Sequence, residues 1–313
     1  METANLIVSM SPHIRGRISV ERMMLITIAA LAPTAVAGLY FFGIRCLMIM
    51  VLSVVTAVVV ESGTESLTHQ RLTYKDGHAA LTGLLLALIL PPSVPWWIPV
   101  IGSGVAIILG KMVFGGLGTY PFNPVLVSWV VLKLSWGERM GLFVSSHTSE
   151  QVLTPLMAIK EDPALFYEYD LVDLFLGTQA GAIGTVCGVA LVIGGIVLLV
   201  TKLIRWHIPV SFLIGIGLVA TILHGINADM NPPALFHLIT GGTLMAAFFL
   251  APEPVTSPVT PVGMLSFGFL AGVLTMIIRL WGAYPDGSFY AILIMNAATP
   301  LFNNLKPRLY GRR

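Results

Sequence analysis

Only 10% of the 313 residues are charged, 56% are hydrophobic, and the mean hydropathy is +0.87. A soluble globular domain carries about 25% charged residues, so this composition excludes a water-facing surface and indicates an all-α integral membrane protein. The two cysteines form no CxxC pair, which excludes an iron–sulfur or zinc site built from this chain's own thiolates.

Apolar stretches separated by glycine, proline and charged residues predict about ten transmembrane helices. Their expected limits are 23–42, 44–60, 79–90, 96–109, 122–134, 182–204, 208–223, 235–250, 262–278 and 289–301. Several are shorter than the roughly 20 residues of a full span, and one stops at Pro91 and Pro92. We therefore expect short or broken helices that lie inside the bundle.

The two halves of the chain resemble each other. ALTGLLLALILPP and GGLGTYPFNPV in the first half are matched, in the same order, by LITGGTLMAAFFLAPEP and WGAYP in the second. Two repeats of five spans each would lie in opposite orientations, because five is an odd number. The expected organisation is a cytoplasmic segment 1–22, a first repeat 23–136, an extracytoplasmic loop 137–180, a second repeat 181–305 and a basic cytoplasmic tail 306–313.

The distribution of lysine and arginine predicts that both termini are cytoplasmic. With the N-terminus inside and ten spans, twelve of the seventeen basic residues fall on the inner side, as the positive-inside rule requires. The inner group is Arg15, Arg17, Arg22, Arg71, Lys75, Lys111, Lys202, Arg205, Lys306, Arg308, Arg312 and Arg313. The outer group is Arg45, Lys133, Arg139, Lys160 and Arg279.

The segment FGGLGTYPFNPVL is a first candidate site. Gly115, Gly116 and Gly118 permit a tight turn and a close approach to a flat ligand. Asn123 carries both a donor and an acceptor that suit the edge of a uracil-like ring. A glycine turn with an asparagine that caps a helix explains the same residues.

The matching segment in the second half, LAPEPVTSP, is a second candidate. Thr256 and exposed carbonyl groups could coordinate a ligand or a hard cation, with Glu253 as the anionic member. A proline-rich connection whose hydroxyls bond its own backbone is an equal alternative. Glu61, at the inner end of the second span, is a candidate for the ion pathway, although a solvated interface residue has the same pattern.

A third candidate is Thr154, which precedes Pro155 in the outer loop. By itself, a threonine in this position is a helix N-cap. No Walker loop, dinucleotide fingerprint, nucleophile–His–acid set or nucleic-acid patch is present, so we predict no catalytic residue and no nucleic-acid partner.

FGGLGTYPFNPVL, TPLMAIK, DLFLGTQAGAIG and PVTSP together resemble the RnfD component of the Rnf ion-translocating electron-transport complex, over essentially the whole chain. The chain is similar, more distantly, to the NqrB component of the sodium-pumping NADH:quinone oxidoreductase. The resemblance implies a flavoprotein in a six-subunit assembly of the bacterial inner membrane. That assembly couples electron transfer between NADH and ferredoxin to movement of Na+ or H+, so the chain is part of an enzyme and is not catalytic alone.

The resemblance also implies the cofactors and partners. These are an FMN joined by a phosphoester to a threonine of the outer loop and a riboflavin held non-covalently. Thr154 matches the FMN-bearing threonine, although Gln151, Val152 and Leu153 replace the small residues expected before it. Asn123 matches the position expected to contact riboflavin. The implied partners are the other membrane, iron–sulfur and flavin subunits, together with a flavin transferase for maturation.

Two other functions fit the composition and the repeat. A stand-alone channel or transporter for a small polar solute is also built from inverted repeats with broken helices. The third possibility is a structural subunit without a cofactor.

Overall fold

The computed structural model describes residues 19–68, 76–145 and 150–304. These residues form α-helices and short helical turns, with one isolated bridge between Val144 and Gln151 and no named strand. The helices are α1 Val20–Phe42, α2 Ile44–Leu67, α3 His78–Ile89, α4 Trp97–Ile108, α5 Pro124–Ser135, α6 Pro155–Glu161, α7 Leu171–Leu176, α8 Gly188–Val200, α9 His207–Ile226, α10 Ala234–Ile239, α11 Thr243–Met245, α12 Pro261–Trp281 and α13 Ser288–Asn303.

The predicted class, an all-α membrane protein, is confirmed. In the described ranges, five helical segments are long and apolar enough to cross a membrane, and α3, α5 and α8 are shorter apolar helices. The five long segments are Val20–Phe42, Ile44–Leu67, Trp97–Phe114, His207–Ile226 and Pro261–Trp281. The protein is therefore a multi-pass membrane protein.

Helix packing repeats between the two halves. In the first half, α2 packs against α3 and α4, and α4 packs against α5. In the second half, α9 packs against α10 and α12, and α12 packs against α13. This correspondence supports the predicted pair of five-helix repeats, of which the second consists of α8, α9, the segment 234–250, α12 and α13. Their opposite orientation stays a prediction.

Small residues allow the closest helix contact. A side chain at Gly272 in α12 would place its Cβ 2.2 Å from the carbonyl oxygen of Phe212 in α9, and one at Gly215 would meet the carbonyl oxygen of Phe269 at 2.4 Å. Membrane helices associate without a hydrophobic drive, so backbone approach at glycines supplies much of the packing.

The third span of the second half is broken, as the short-helix prediction requires. Helix α10 ends at Ile239, and Gly241 has a φ of +66° that favours glycine. The chain then continues through α11 into a π-helical turn, Ala246–Leu250. The hydroxyl of Thr243 donates to the carbonyl oxygens of His237 and Thr240, which satisfies backbone groups that the break leaves unpaired.

Several predicted limits are wrong, and the largest differences are the end of α2, at Leu67 rather than at 60, and the start of α8. Helix α8 begins at Gly188 rather than at 182, because residues 180–187 are irregular and bond instead to the end of α3, where Gly184 N–H donates to the carbonyl of Leu88 over 2.7 Å. Helix α1 begins at Val20, three residues early, because Ser19 caps it by accepting from Arg22 N–H.

The contacts between connecting segments agree with the predicted threading. On the predicted outer side, Arg45 donates to the carbonyl of Ser93, and Lys160 donates to the carbonyls of Arg279 and Tyr284. On the inner side, Arg205 donates to the carbonyl of Val259. Several residues used in the charge argument lie outside the described residues. These are Arg15, Arg17, Arg71, Lys75, Lys306, Arg308, Arg312 and Arg313.

Candidate flavin cavities

A cavity of about 230 Å³ lies on the predicted inner side, between the start of α3, the start of α5 and the turn after the π-helical segment. Its wall is mostly apolar, and the polar residues in it are Thr27, His78, Thr82, Tyr120, Asn123 and Glu253. Ligand sites of membrane and soluble proteins share this character, an apolar pocket with a few converging polar groups.

Four of the polar groups form a continuous hydrogen-bonded chain. Tyr120 Oη donates to Glu253 Oε1 over 2.7 Å, and His78 Nε2 lies 2.9 Å from Tyr120 Oη. Thr82 Oγ1 lies 3.4 Å from His78 Nδ1 at the other end. His78, Thr82 and Tyr120 are buried, whereas Glu253 keeps part of its surface exposed. Burial raises the pKa of Glu253 to about 7, although the hydrogen bonds from Tyr120 and Thr256 lower it.

Asn123 lies in the wall of this inner cavity, but its side chain is already engaged. Its Oδ1 caps α5 by accepting from Val125 N–H over 2.9 Å and from Leu126 N–H, and its Nδ2 donates to the carbonyl of Leu250. The helix-cap alternative is therefore part of its role. Because Leu250 belongs to the second half, Asn123 also joins the two halves at the cavity.

The three glycines of the same segment lie on an exposed turn. Gly115, Gly116 and Gly118 have φ values of +102°, +101° and +92°, so each requires the left-handed conformation that glycine adopts without strain. Gly115 and Gly118 are exposed, and Leu117 is the member of this turn that lines the cavity.

Thr256 is buried and holds Glu253 in place. Its Oγ1 donates to Glu253 Oε2 over 3.1 Å, and its carbonyl accepts from the hydroxyl of Thr299 in α13. The carboxyl group thus receives one hydrogen bond on each oxygen, from Tyr120 and from Thr256.

Glu61 lies apart from this cavity and is buried rather than at a solvated interface. One carboxylate oxygen pairs with Lys111 Nζ, and both side chains are 1% exposed or less. Its other oxygen, Oε2, has no hydrogen-bond partner within the described ranges. Taking charges out of water is costly, and an ion pair compensates only part of that cost, so this pair is a candidate point for ion binding or exchange.

A second, smaller cavity of about 80 Å³ lies on the predicted outer side and includes Thr154 in its wall. Thr154 caps α6, because its Oγ1 accepts from Met157 N–H over 3.3 Å, which is the helix-cap role expected by default. Five aromatic residues line the same cavity: Trp129, Phe143, Tyr284, Phe289 and Tyr290. The rings of Phe289 and Tyr290 each meet Trp129 edge to face at 5.0 Å, and Tyr284 stacks on Tyr290 at 4.6 Å.

The outer cavity also contains charged groups. Asp286 pairs with Arg279 at 3.0 Å and accepts from the backbone N–H of Gly242 and Ser288. The Arg279 charge and these backbone donors hold the pKa of Asp286 below its usual value, although burial acts in the opposite direction. Lys133 reaches the cavity from α5, and its Nζ donates to the carbonyl of Met140 over 3.3 Å.

Sequence reasoning missed most of these cavity residues. His78, Thr82, Trp129, Lys133 and Asp286 lie in none of the three candidate-site segments. One signal was available, since a Tyr-Pro pair precedes the last helix of each half, at Tyr120 and at Tyr284. Each tyrosine lines the cavity of its own half.

The fold and these cavities define a class, namely polytopic α-helical membrane proteins with partly apolar cavities near both ends of the helix bundle. The model of the NQR2, RnfD, RnfE family matches residues 7–311. The chain therefore belongs to the NQR2, RnfD, RnfE family, and the resemblance found in the sequence is confirmed.

Curated relatives match along nearly the whole chain. The D subunit of the "Proton-translocating ferredoxin:NAD(+) oxidoreductase complex" of Clostridium ljungdahlii is 37% identical over 98% of this chain and 96% of its own length. The D subunit of the "Na(+)-translocating ferredoxin:NAD(+) oxidoreductase complex" of Acetobacterium woodii is 38% identical over 99% and 97%. The D subunit of the "Ion-translocating oxidoreductase complex" of Yersinia pseudotuberculosis is 34% identical over 98% of both chains.

Proposed function

We propose that this chain is the flavin-carrying membrane subunit of an ion-translocating ferredoxin:NAD+ oxidoreductase complex. Membership of the family and full-length relatives that are named as the D subunits of such complexes support the assignment. The observation that carries the flavin proposal is the position of Thr154 in the wall of an aromatic cavity. The redox chemistry belongs to the flavin, while the protein supplies binding, orientation and electrostatics.

The outer cavity is the proposed site of an FMN joined to Thr154 through its phosphate. The hydroxyl of Thr154 is half-buried at the cavity wall, and aromatic side chains beside it suit a flat isoalloxazine ring. Lys133 is the cation in the same wall that would balance negative charge on the flavin. Small residues are expected before the threonine, and this chain has Gln151, Val152 and Leu153 there instead. The transferase that attaches the FMN must therefore accept larger side chains at these positions.

The inner cavity is the proposed site of a non-covalent riboflavin. Its volume of about 230 Å³ is the larger of the two, its walls are apolar, and its polar groups lie together on one side. The side-chain nitrogen of Asn123 carries two hydrogens, and one of them is donated to Leu250. The second hydrogen is the one that Asn123 would offer to the flavin. Glu253 in this cavity and Glu61 in the buried pair with Lys111 are the proposed acids of the ion pathway.

The setting of the chain is proposed on the same basis. We place it in a bacterial inner membrane with both termini in the cytoplasm, beside the other membrane, iron–sulfur and flavin subunits of a six-subunit complex. Reduction of a flavin between the two halves would favour one arrangement of those halves over another and so change ion access.

The direct test compares covalent and extractable flavin in the purified complex. We expect a yellow preparation in which denaturing gel electrophoresis leaves a fluorescent band at this chain, while extraction releases riboflavin. Thr154→Val removes the hydroxyl and should abolish the fluorescent band, whereas Thr154→Ser should keep both the hydroxyl and the helix cap.

Thr260→Val is the matched control, because Thr260 caps α12 in the same way, by accepting from Gly263 N–H. It should lose about 1 kcal/mol of stability and keep its fluorescence. Fluorescence that survives in Thr154→Val would refute the attachment site. A colourless complex would refute the flavin proposal, and solute movement by that preparation in liposomes would favour a transporter.

A further inference from the structure

The hydrogen-bonded chain along the inner cavity has the form of a proton relay. It runs from Glu253 through Tyr120 and His78 to Thr82, and each link joins a group that can donate to one that can accept. All four residues line the same cavity. Glu253 alone among them is partly exposed, which makes it the end of the relay that lies nearest the solvent.

We propose that Thr82, His78, Tyr120 and Glu253 deliver a proton from the inner aqueous side to the flavin in this cavity each time that flavin takes up an electron. The inference rests on the proposed non-covalent flavin and adds the residues that protonate it. The electrons come from the redox centres of partner subunits.

The proton movement balances along the chain. Before transfer, the protonated carboxyl of Glu253 donates to Tyr120, the Tyr120 hydroxyl donates to His78 Nε2, and His78 Nδ1–H donates to Thr82. The flavin would supply the electron-accepting chemistry, and Thr82 would give its hydroxyl proton to that flavin as the electron arrives. Thr82 then takes the proton of Nδ1, Nε2 takes that of Tyr120, and Tyr120 takes that of Glu253, which becomes a carboxylate.

The same hydrogen-bond distances also fit the chain after transfer, in which Glu253 is a carboxylate. Tyr120 and Thr256 then each donate to one of its oxygens. His78 Nε2 must then donate to Tyr120, which leaves Nδ1 to accept from Thr82. His78 is neutral before and after transfer, and only its tautomer changes. Glu253 then returns to its protonated form by taking a proton from water.

The surrounding charges agree with this role. Among the described residues, His78, Tyr120 and Glu253 are the ionisable groups of the cavity wall, while Lys111 acts on His78 and Asp76 on Tyr120 through space. Burial and the neighbouring carboxyl of Glu253 raise the pKa of Tyr120 above its usual range, so this phenol passes a proton on rather than losing it. The pKa of Glu253 near 7 lets that group exchange protons with water at neutral pH.

The first experiment follows reduction of the extractable flavin in the intact complex by rapid-mixing absorbance, in H2O and in D2O. Tyr120→Phe retains the ring and removes the hydroxyl that links His78 to Glu253. We expect it to slow the reduction of this flavin at least tenfold, with the rate expressed per flavin bound. Tyr167→Phe is the matched control, because that hydroxyl lies in the outer loop and donates to Asp229 over 3.5 Å; it should reduce at the wild-type rate.

A second readout tests the chain without any electron transfer. In the riboflavin-depleted complex, the infrared carboxyl band of protonated Glu253 should disappear in Glu253→Gln and shift in Tyr120→Phe, since that variant loses the hydrogen-bond partner. His78→Gln, which retains hydrogen bonding but cannot pass a proton between two ring nitrogens, should shift this band little and slow flavin reduction.

The outcomes separate the relay from the flavin proposal. Wild-type rates and isotope effects in Tyr120→Phe and His78→Gln, with the flavin bound, would overturn the relay alone. An unshifted carboxyl band in Tyr120→Phe would overturn the chain itself. A complex without extractable flavin would overturn the proposed function and this step with it.

Discussion

The inner and outer cavities occupy corresponding places in the two halves and have different chemistry. Each lies beside the end of a short or broken third helix and beside a Tyr-Pro pair that precedes the last helix. The inner cavity presents the hydrogen-bonded groups of Glu253, Tyr120 and His78, whereas the outer one has Lys133 and Asp286 in its wall, with Arg279 paired to Asp286. The two cavities thus lie beside similar elements of the two halves and differ in the side chains that those elements carry.

The largest expected effect tests whether the outer cavity depends on its fixed charges. Arg279→Leu leaves the half-buried carboxylate of Asp286 without its cation, and removal of one partner from such a pair typically costs about 3–5 kcal/mol. Thermal unfolding of the purified protein in detergent should therefore show a clearly lowered Tm.

The double variant Arg279→Leu/Asp286→Asn is the matched control for this loss, because it removes both charges and should recover part of the stability. If Arg279→Leu unfolds at the wild-type Tm, the ion pair between Arg279 and Asp286 does not stabilise the protein.

The second-largest expected effect is a dependence of stability on pH that arises from Glu253 in the inner cavity. The pKa of Glu253 is raised to about 7 from an ordinary value of 4.5, so the folded state prefers the protonated form. Protonation of Glu253 therefore adds at most about 3 kcal/mol to the free energy of unfolding. This contribution is complete below about pH 4.5 and is lost as the pH rises through 7.

Unfolding measured between pH 5 and 8 should therefore show stability falling with pH in the wild type and a flatter profile in Glu253→Gln. Parallel profiles for the two proteins would contradict the raised pKa.

The smallest effect concerns the glycine turn beside the inner cavity. An added Cβ at Gly116 meets no other atom within 4 Å, but the residue has a φ of +101°. Gly116→Ala should cost about 1 kcal/mol from backbone strain alone, and we expect its extractable flavin to be unchanged because Leu117 is the turn residue in the cavity wall. Lost riboflavin in a folded variant would instead indicate direct approach of the flavin to this turn.

Hydropathy and charge were sufficient to predict the class and the approximate spans, and four short motifs were sufficient to predict the family. Hydropathy failed at residues 180–187, because small apolar residues count toward a span even where their backbone bonds to another helix, as Gly184 does with Leu88. The motifs located Tyr120 and Glu253 separately but not their contact, which joins residues 133 positions apart. Pairings over such distances depend on how the two halves pack, and no local pattern records that.

Helix α6 has Thr154 as its N-cap and Lys160 in its last turn. Lys160 donates to the carbonyl of Arg279 in α12 and to that of Tyr284, just after α12. A group bound to Thr154 is thus fastened to the second half, although Trp129 and Lys133 on the opposite wall belong to the first. If FMN is attached to Thr154 as proposed, sliding of one half past the other would change the distance between that flavin and Trp129 and Lys133, and with it the distance for electron tunnelling.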